Sequence, residues 1–472
     1  MTIYSIFREP NMTPGALVYV AAYRPIRFYV WATPFSTELP IYADIYINST
    51  YYKTLTCYTV DTLIGMGTYV VDIADALQEY LKTYTPQLPV NAIQDASYEQ
   101  MVEVYVNFRA SSFDPDGLLV PDGPVPVQGT VTTPPVSGGG LPSNSFFVIN
   151  ASLLPQFDNI MSNELETALQ ERMEQPTTVA SGTRVYPLSN LPVQGGTPLA
   201  NLSIGTYRDD YGGFPFIVME FGPATGWWGG PLPATSRNCK LGMFYDVPGG
   251  GSSGVLWLTT GSALTSGIHY LPLGLKEIFA VIPGIYPPFL TNPAAPYHYQ
   301  LFLWDNDAGQ YVFFTPWFKF KTTAVERVRL AFQNTYGCFE YVTFLRNSES
   351  FKIESSEQLI PYVRPFSSTV DPINMGHRRN SIKANDEITL SGVFKEVHMP
   401  WFKELLMSPI VYMQVLKDAK TWDNPAGTTP ALKQVKVVDG SYSTKKTVEE
   451  GRYAYEVSFK ITPSIEYITL RN

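Results

Sequence analysis

Charge is scarce in this 472-residue chain, and so are the side chains that most often carry chemistry. Lys, Arg, Asp and Glu make up 16% of it, where soluble domains carry roughly 25%. The four histidines, His269, His298, His377 and His398, form no HxH, HxxxH or HExxH pair, so a helical or ribbon metal site has no local basis. Cys57, Cys239 and Cys338 are odd in number, far apart and outside any CxxC. That leaves zinc and thioredoxin-type chemistry without ligands and reads as buried free thiols. No apolar run approaches the ~18 residues of a membrane-spanning helix. Met1 to Met12 contains Arg8 and Glu9 and no apolar core, so a secretory signal is not expected. Basic clusters are missing too: Arg378-Arg379 and Lys445-Lys446 stand alone, which gives nucleic-acid binding no electrostatic footprint.

What the chain has instead is 31 Tyr, 27 Phe, 39 Pro and 35 Gly, with 45% hydrophobic residues. Such a chain can bury a large core, so global disorder is excluded. The length suggests about three domains. The net charge of −9 is unevenly placed: residues 1–318 carry 12 basic and 25 acidic side chains, residues 319–472 carry 21 and 17. Either two domains drifted apart in charge, or copies pack head to tail through complementary fields.

Hydrophobic periodicity divides the chain. Residues 1–111 read as an N-terminal β domain: Ile26 to Trp31, Tyr42 to Ile47 and Tyr51 to Val60 are β-branched and aromatic runs between turn residues. Asp72 to Leu81 has helical spacing, and in Tyr98 to Arg109 the set Val102, Val104, Val106 and Phe108 alternates onto one apolar face. Residues 112–145, with Pro134-Pro135 and three successive glycines, read as a linker or as an extended arm across a neighbouring subunit. Residues 146–324 form a Gly/Pro/aromatic-rich irregular β domain with a helix expected over 159–174 and a hairpin from Leu301 to Phe314. Residues 325–472 read as a C-terminal β domain. Its strands are Val325 to Phe332, Cys338 to Leu345 (across Asn334-Thr335-Tyr336-Gly337), Glu387 to Val397, Ile410 to Leu416, Leu432 to Val438 and Tyr453 to Thr462, with one helix from Trp401 to Met407. The expected class is mainly β: several sandwich-like modules, a few short helices and long Pro/Gly-rich loops.

Catalytic signatures fail on context. Gly250-Gly251-Ser252-Ser253-Gly254 fits GxSxG, yet it sits between glycines and a strand-like run, a loop rather than a strand–turn–helix elbow. Asp305 and Asp307 resemble the start of a calcium loop, but position 316 is Pro, and a hairpin turn explains them. Gly65-Met66-Gly67 lacks the third glycine of a dinucleotide fingerprint. No catalytic, cofactor-binding or metal-ligating residue is put forward. Trp227, Trp228 and Tyr286 could stack on sugars, but aromatics between glycines and prolines serve protein interfaces more often. Pro134 and Pro135 in the arm complete the set of interface candidates.

Three stretches carry a family likeness: Ala22 to Phe28 with Ala43 to Ile47; Val328 to Phe344, continuing from Ser348 to Glu354; and the helix–turn from Trp401 to Pro409. The second, a strand–Asn-x-x-Gly–aromatic–Glu–strand pattern through Asn334, Gly337, Phe339 and Glu340, is the most specific. Together they resemble structural tail and neck proteins of phages infecting Bacteroidota, the crAss-like phages among them. Residues 112–318 show no such likeness, and Cys338 stands where Gly or another small residue is expected. The resemblance implies a non-enzymatic virion protein, assembled in the host cytoplasm: a tail hub, baseplate or ring subunit. Its partners would be copies of itself and other tail or neck proteins, around a lumen that DNA passes without specific binding. A carbohydrate-binding tail adhesin is the alternative, and a glycan hydrolase with two facing carboxylates the weaker one.

Overall fold

The computed structural model of the chain describes residues 2–9, 19–33, 40–48, 50–57, 60–61, 68–81, 93–95, 100–113, 119–121, 146–151, 183–191, 204–207, 210–220, 237–247, 251–259, 261–264, 267–274, 278, 298–307, 309–321, 326–360, 376–415, 431–438, 443–449 and 452–463. Within them the protein is mainly β in several sheets, with short helices at Ala74–Leu81 and Met399–Met407. None of the described helices is long and apolar enough to cross a membrane.

Two sheets enclose the N-terminal core. One orders Thr2–Glu9, Arg27–Thr33, Thr68–Asp72 and Val60–Asp61; the other orders Tyr19–Ala21, Phe146–Ile149, Met101–Arg109, Ile41–Ile47 and Thr50–Cys57. Val102, Val104 and Val106 face that core, with Phe108 at its margin, as their alternation requires. Helix Ala74–Leu81 adds Leu77 and Leu81 to the same cluster. It starts two residues after Asp72 because that carboxylate accepts the N–H groups of Ala74 (3.0 Å) and Ile26 (3.1 Å).

The boundary read at residue 146 moves. Phe146–Ile149 pairs antiparallel with Met101–Arg109 and parallel with Tyr19–Ala21, inside the N-terminal sheet. All four of its residues are buried; an apolar run with both faces covered suits a central strand. Gln94–Asp95 crosses the other way and pairs with Gly267–Pro272. Of the 112–145 segment, Ser111–Phe113 and Leu119–Pro121 form a small hairpin; residues 114–118 and 122–145 lie outside the described residues, as does the helix expected over 159–174.

In the middle of the chain, Thr183–Pro187, Gly213–Glu220, Gly267–Pro272 and Gln94–Asp95 make a four-stranded sheet. A seven-stranded sheet orders Ile204–Tyr207, Phe318–Lys321, His298–Asp305, Arg237–Val247 and Gly251–Trp257, with Ser262–Leu264 and Gln310–Phe314 beside them. Phe214, Phe216 and Val218 of the first sheet share a core with Leu241, Met243, Leu301 and Phe313 of the second. Asp305 turns the hairpin by accepting the Asp307 N–H at 2.8 Å, and Gly309 takes φ +65°. Residues Gly251 to Gly254 begin a strand, not the loop their glycines suggest.

The C-terminal sheet closes on itself. Gly376–Lys395, Phe339–Ile360, Arg327–Gln333, Val411–Val415, Ala431–Val437 and Arg452–Pro463 pair in that order, and the last pairs back to the first. Ser443–Glu449 lies against Arg452–Pro463. Closure leaves this barrel without an internal edge. Leu330, Phe344, Leu390 and Phe459 fill it, and Trp401, Phe402 and Leu405 of helix Met399–Met407 plug it. Phe344 meets Phe459 edge-on at 4.9 Å, and Phe394 stacks on Phe402 at 5.3 Å. The helix begins before Trp401 because Pro400 sits in the first turn, where a missing N–H costs nothing.

Two barrel strands run on past it. Phe339–Ile360 is paired by Arg327–Gln333 only as far as Leu345, and Gly376–Lys395 by Arg452–Pro463 only from Ile388. Beyond those points the two pair with each other, Ser348 with Thr389 through to Ile360 with Gly376. At ~3.3 Å per residue this two-stranded ribbon extends roughly 40 Å.

Candidate functional site

The residues of the Asn-x-x-Gly–aromatic–Glu pattern come together at a buried polar junction. Asn334 to Gly337 turn the chain between Arg327–Gln333 and Phe339–Ile360. The Asn334 N–H donates to the Cys338 carbonyl (2.8 Å) and the Gly337 N–H to the Asn334 carbonyl (3.0 Å). The Asn334 side-chain oxygen accepts the N–H groups of Tyr336 and Cys338, both at 3.0 Å. Gly337 has φ +76°, and a Cβ on it would lie 1.6 Å from the Asn150 carbonyl oxygen. Only glycine fits both the conformation and the contact.

Around that turn a single carboxylate gathers three segments. The Asn334 amide donates to Glu340 Oε1 at 2.5 Å and to the Leu188 carbonyl at 2.7 Å. Glu340 Oε2 accepts the Ser189 hydroxyl at 2.9 Å and the indole N–H of Trp401. Gln100 brings in the N-terminal module: its amide donates to the Gly337 carbonyl (3.1 Å), and its oxygen accepts the Tyr270 hydroxyl (3.0 Å), which in turn accepts the Phe339 N–H (3.0 Å). Cys338 is fully buried between Met101, Ile149, Tyr270 and Tyr336, its thiol 3.6 Å from Gln100 Oε1. Its sulfur fills junction space that a glycine would leave empty.

Burial raises the Glu340 carboxyl from its ordinary 4.5 to about 7, against the opposing pull of the Asn334, Trp401 and Ser189 donors. Burial likewise pushes the Cys338 thiol far above the usual range. Beside it, Arg329 pairs with Asp210 at 3.1 Å, both side chains under 10% exposed. Arg329 also reaches Thr343 (2.8 Å) and the Tyr211 carbonyl, and its guanidinium lies 5.6 Å from the Tyr341 ring centre. Arg329 and Glu340 line one small cavity of about 10 Å³, room for a single water. Enclosed among its donors and barely accessible, Glu340 acts as a clamp between modules.

The outer face of the seven-stranded sheet carries a different feature. Phe302 lies across Gly242, where a Cβ would come within 2.2 Å of its ring. Phe244 (4.4 Å between ring centres), Tyr311 (5.1 Å) and Trp257 (5.4 Å) pack around it and cover it completely. Trp304 meets Tyr311 at 4.8 Å. Trp257 stays 45% and Tyr311 39% exposed, and the Lys240 ammonium stands 5.8 Å from the Trp257 ring centre. A register shift after Leu303 lets Val312 and Phe313 enter the core while Tyr311 joins this outer cluster.

Trp227, Trp228, Tyr286, Pro134 and Pro135 lie outside the described residues. His269, His298 and His398 are buried in separate elements, and His377 falls on the ribbon. The Asp210 carboxylate is taken up by Arg329. Among the described residues no three His, Cys, Asp or Glu gather closely enough to hold a metal ion. No protein-family model matches the chain, and no curated protein matches it either.

Two outcomes are expected at the junction. Gly337→Ala combines a positive φ with a backbone clash and is expected to cost ~3 kcal/mol or more. Gly309→Ala, also at positive φ but with open space around it, is expected to cost about 1 kcal/mol; urea unfolding of both variants checks the ranking. Because the folded-state pKa of Glu340 is raised, its contribution is fully present below pH 4.5 and is lost as pH rises through about 7. Glu340→Gln is therefore expected to remove an alkaline-side loss of about 3 kcal/mol. Parallel pH slopes for the two proteins between pH 4.5 and 8 would contradict this.

Proposed function

We propose that the protein is a non-enzymatic structural subunit of a phage tail or neck that assembles with copies of itself into a homo-oligomeric ring. The observation that carries the assembly is the ribbon. From Ser348 to Ile360 and from Gly376 to Glu387 each strand has only the other as neighbour among the described residues. A two-stranded hairpin is marginal in water, and each of its outer edges presents a row of unpaired N–H and C=O groups. Such an element is expected of a chain that is completed by neighbours. The tail or neck assignment is supported by the resemblance in the Asn334 to Glu340 segment. Each quoted residue of that segment has a structural task at the junction: Asn334 shapes the turn, Gly337 permits it, Phe339 anchors Tyr270 and Glu340 clamps Ser189 and Trp401. A junction that fixes three modules against one another suits a subunit that transmits load.

A second reading, a carbohydrate-binding tail adhesin, is favoured by the aromatic face. Trp257 and Tyr311 expose ring surface on a rigid sheet, the geometry on which pyranose rings stack. The two readings are compatible, since a ring subunit can carry glycan contacts on its outside.

The mass of the purified full chain in solution, alone and with virion proteins, tests the first reading. A multimer is expected, and a strict monomer that binds no virion protein would overturn it. For the second, glycan binding is expected to fall on the order of tenfold in Trp257→Ala, with the oligomer unchanged. Absence of any glycan binding by the wild-type chain removes that reading alone.

A further inference from the structure

We infer that copies join head to tail through the ribbon: the outer edge of Phe339–Ile360 in one copy takes the outer edge of Gly376–Lys395 in the next as its antiparallel neighbour. Each copy then adds two strands to one closed barrel. This inference rests on the ring reading and specifies the contact that builds the ring.

The two strands differ in charge. Between Ser348 and Ile360 stand Glu349, Glu354 and Glu357 against one Lys352, whereas Gly376 to Asn385 contains Arg378, Arg379 and Lys383 and no acidic residue. Asp386 and Glu387 lie at the root, where Glu387 pairs with Lys460 at 3.0 Å. Within the ribbon the register sets Glu354 opposite Lys383 and Glu357 opposite Arg379. Extending the sheet by one neighbour allows three pairings. Joining two Phe339–Ile360 edges brings glutamate rows together, and joining two Gly376–Lys395 edges brings arginine and lysine rows together. Like charges directly opposite across strands are destabilising. Only the head-to-tail pairing continues the alternation, with Lys383 between its own Glu354 and that of the next copy.

Direction gives the same answer. Ribbons standing side by side and pointing the same way place an outgoing strand beside a returning one, so the shared edge is antiparallel without rearrangement. The two like-edge pairings are isologous and stop at a dimer, whereas the head-to-tail contact is heterologous and continues until it closes. Closure removes every unpaired edge. Register shifts also interrupt the ribbon, between Arg346 and Ser348, where it leaves the barrel, and between Ser356 and Glu357 along its length. Bulges of this kind increase twist and curvature, which a closed barrel requires. The uneven charge of the two halves of the chain thus has a local counterpart in two strands of one element.

Cross-linking of the full-length chain tests this. Glu354→Cys and Lys383→Cys are each made as single variants, with Ser355→Cys and Ile382→Cys to cover a one-residue slide; the three native thiols are buried. Co-expressing a variant of the first strand with one of the second, then oxidising, is expected to give at least tenfold more covalent dimer than either variant alone. Covalent dimer from Glu354→Cys or Lys383→Cys alone, at the level of the mixture, overturns the head-to-tail pairing in favour of an isologous one. A ring mass with no cross-link at any of these positions overturns the strand pairing and leaves the ring reading standing. A wild-type chain that stays monomeric both alone and with virion proteins overturns the ring reading itself.

Discussion

A buried carboxyl group with no ion-pair partner among the described residues holds this protein's modules together. Glu340 is buried, and it receives three donors, one local and two distant: Asn334 of its own hairpin, Ser189 of the middle module and Trp401 of the helix that plugs the barrel. A buried polar group is tolerated only where its hydrogen bonds are made, so the arrangement is stable only when all three segments are in place. That makes it a test of assembly as much as a bond. The nearby amide of Gln100 extends the same logic to the N-terminal module through the Gly337 carbonyl and the Tyr270 hydroxyl. In a low-dielectric interior such chains of hydrogen bonds are costly to leave half made, which favours one relative placement of the modules over neighbouring ones.

The barrel depends on that placement. Its helix plug supplies Trp401, whose ring fills the core against Phe332 and Phe394 and whose N–H belongs to the junction. One side chain therefore couples core packing to the polar contact between modules. The Arg329–Asp210 pair repeats the device a few residues away, tying a barrel strand to the loop after Ile204–Tyr207. These contacts are directional where the apolar core is not, so they set register and orientation while burial supplies most of the driving force.

Much of this was legible in the sequence where one face of an element is apolar and the other wet. The strand containing Val102 to Phe108, the turn from Asn334 to Gly337 and the helical residues Trp401 to Met407 stand where alternation, helical spacing and turn chemistry place them. Legibility failed for three physical reasons. Phe146–Ile149 is buried on both faces, so its run of four apolar residues shows no period and no allegiance to a sheet. In His298–Asp305 both faces are apolar, core on one side and the Phe302 cluster on the other, so the aromatic surface is hidden in the composition. Barrel closure is a pairing between the strand holding Leu390 and the one holding Phe459, far apart in the chain, which no local pattern encodes.

The ribbon was missed for the opposite reason, and the reason is informative. Ser355, Ser356, Glu357 and Gln358 on one strand, with Arg378 to Ser381 on the other, have poor intrinsic strand preference and no sustained apolar alternation. Among the described residues these two stretches pair only with each other, and a strand outside a core has no cause to show apolar alternation. An exposed edge of this length built from valine and isoleucine would pair with any strand it met. In the proposed ring, glutamate on one edge and arginine and lysine on the other would disfavour the like edge and suit the unlike one. The same polarity that conceals the strand in the sequence guards its edges against indiscriminate pairing.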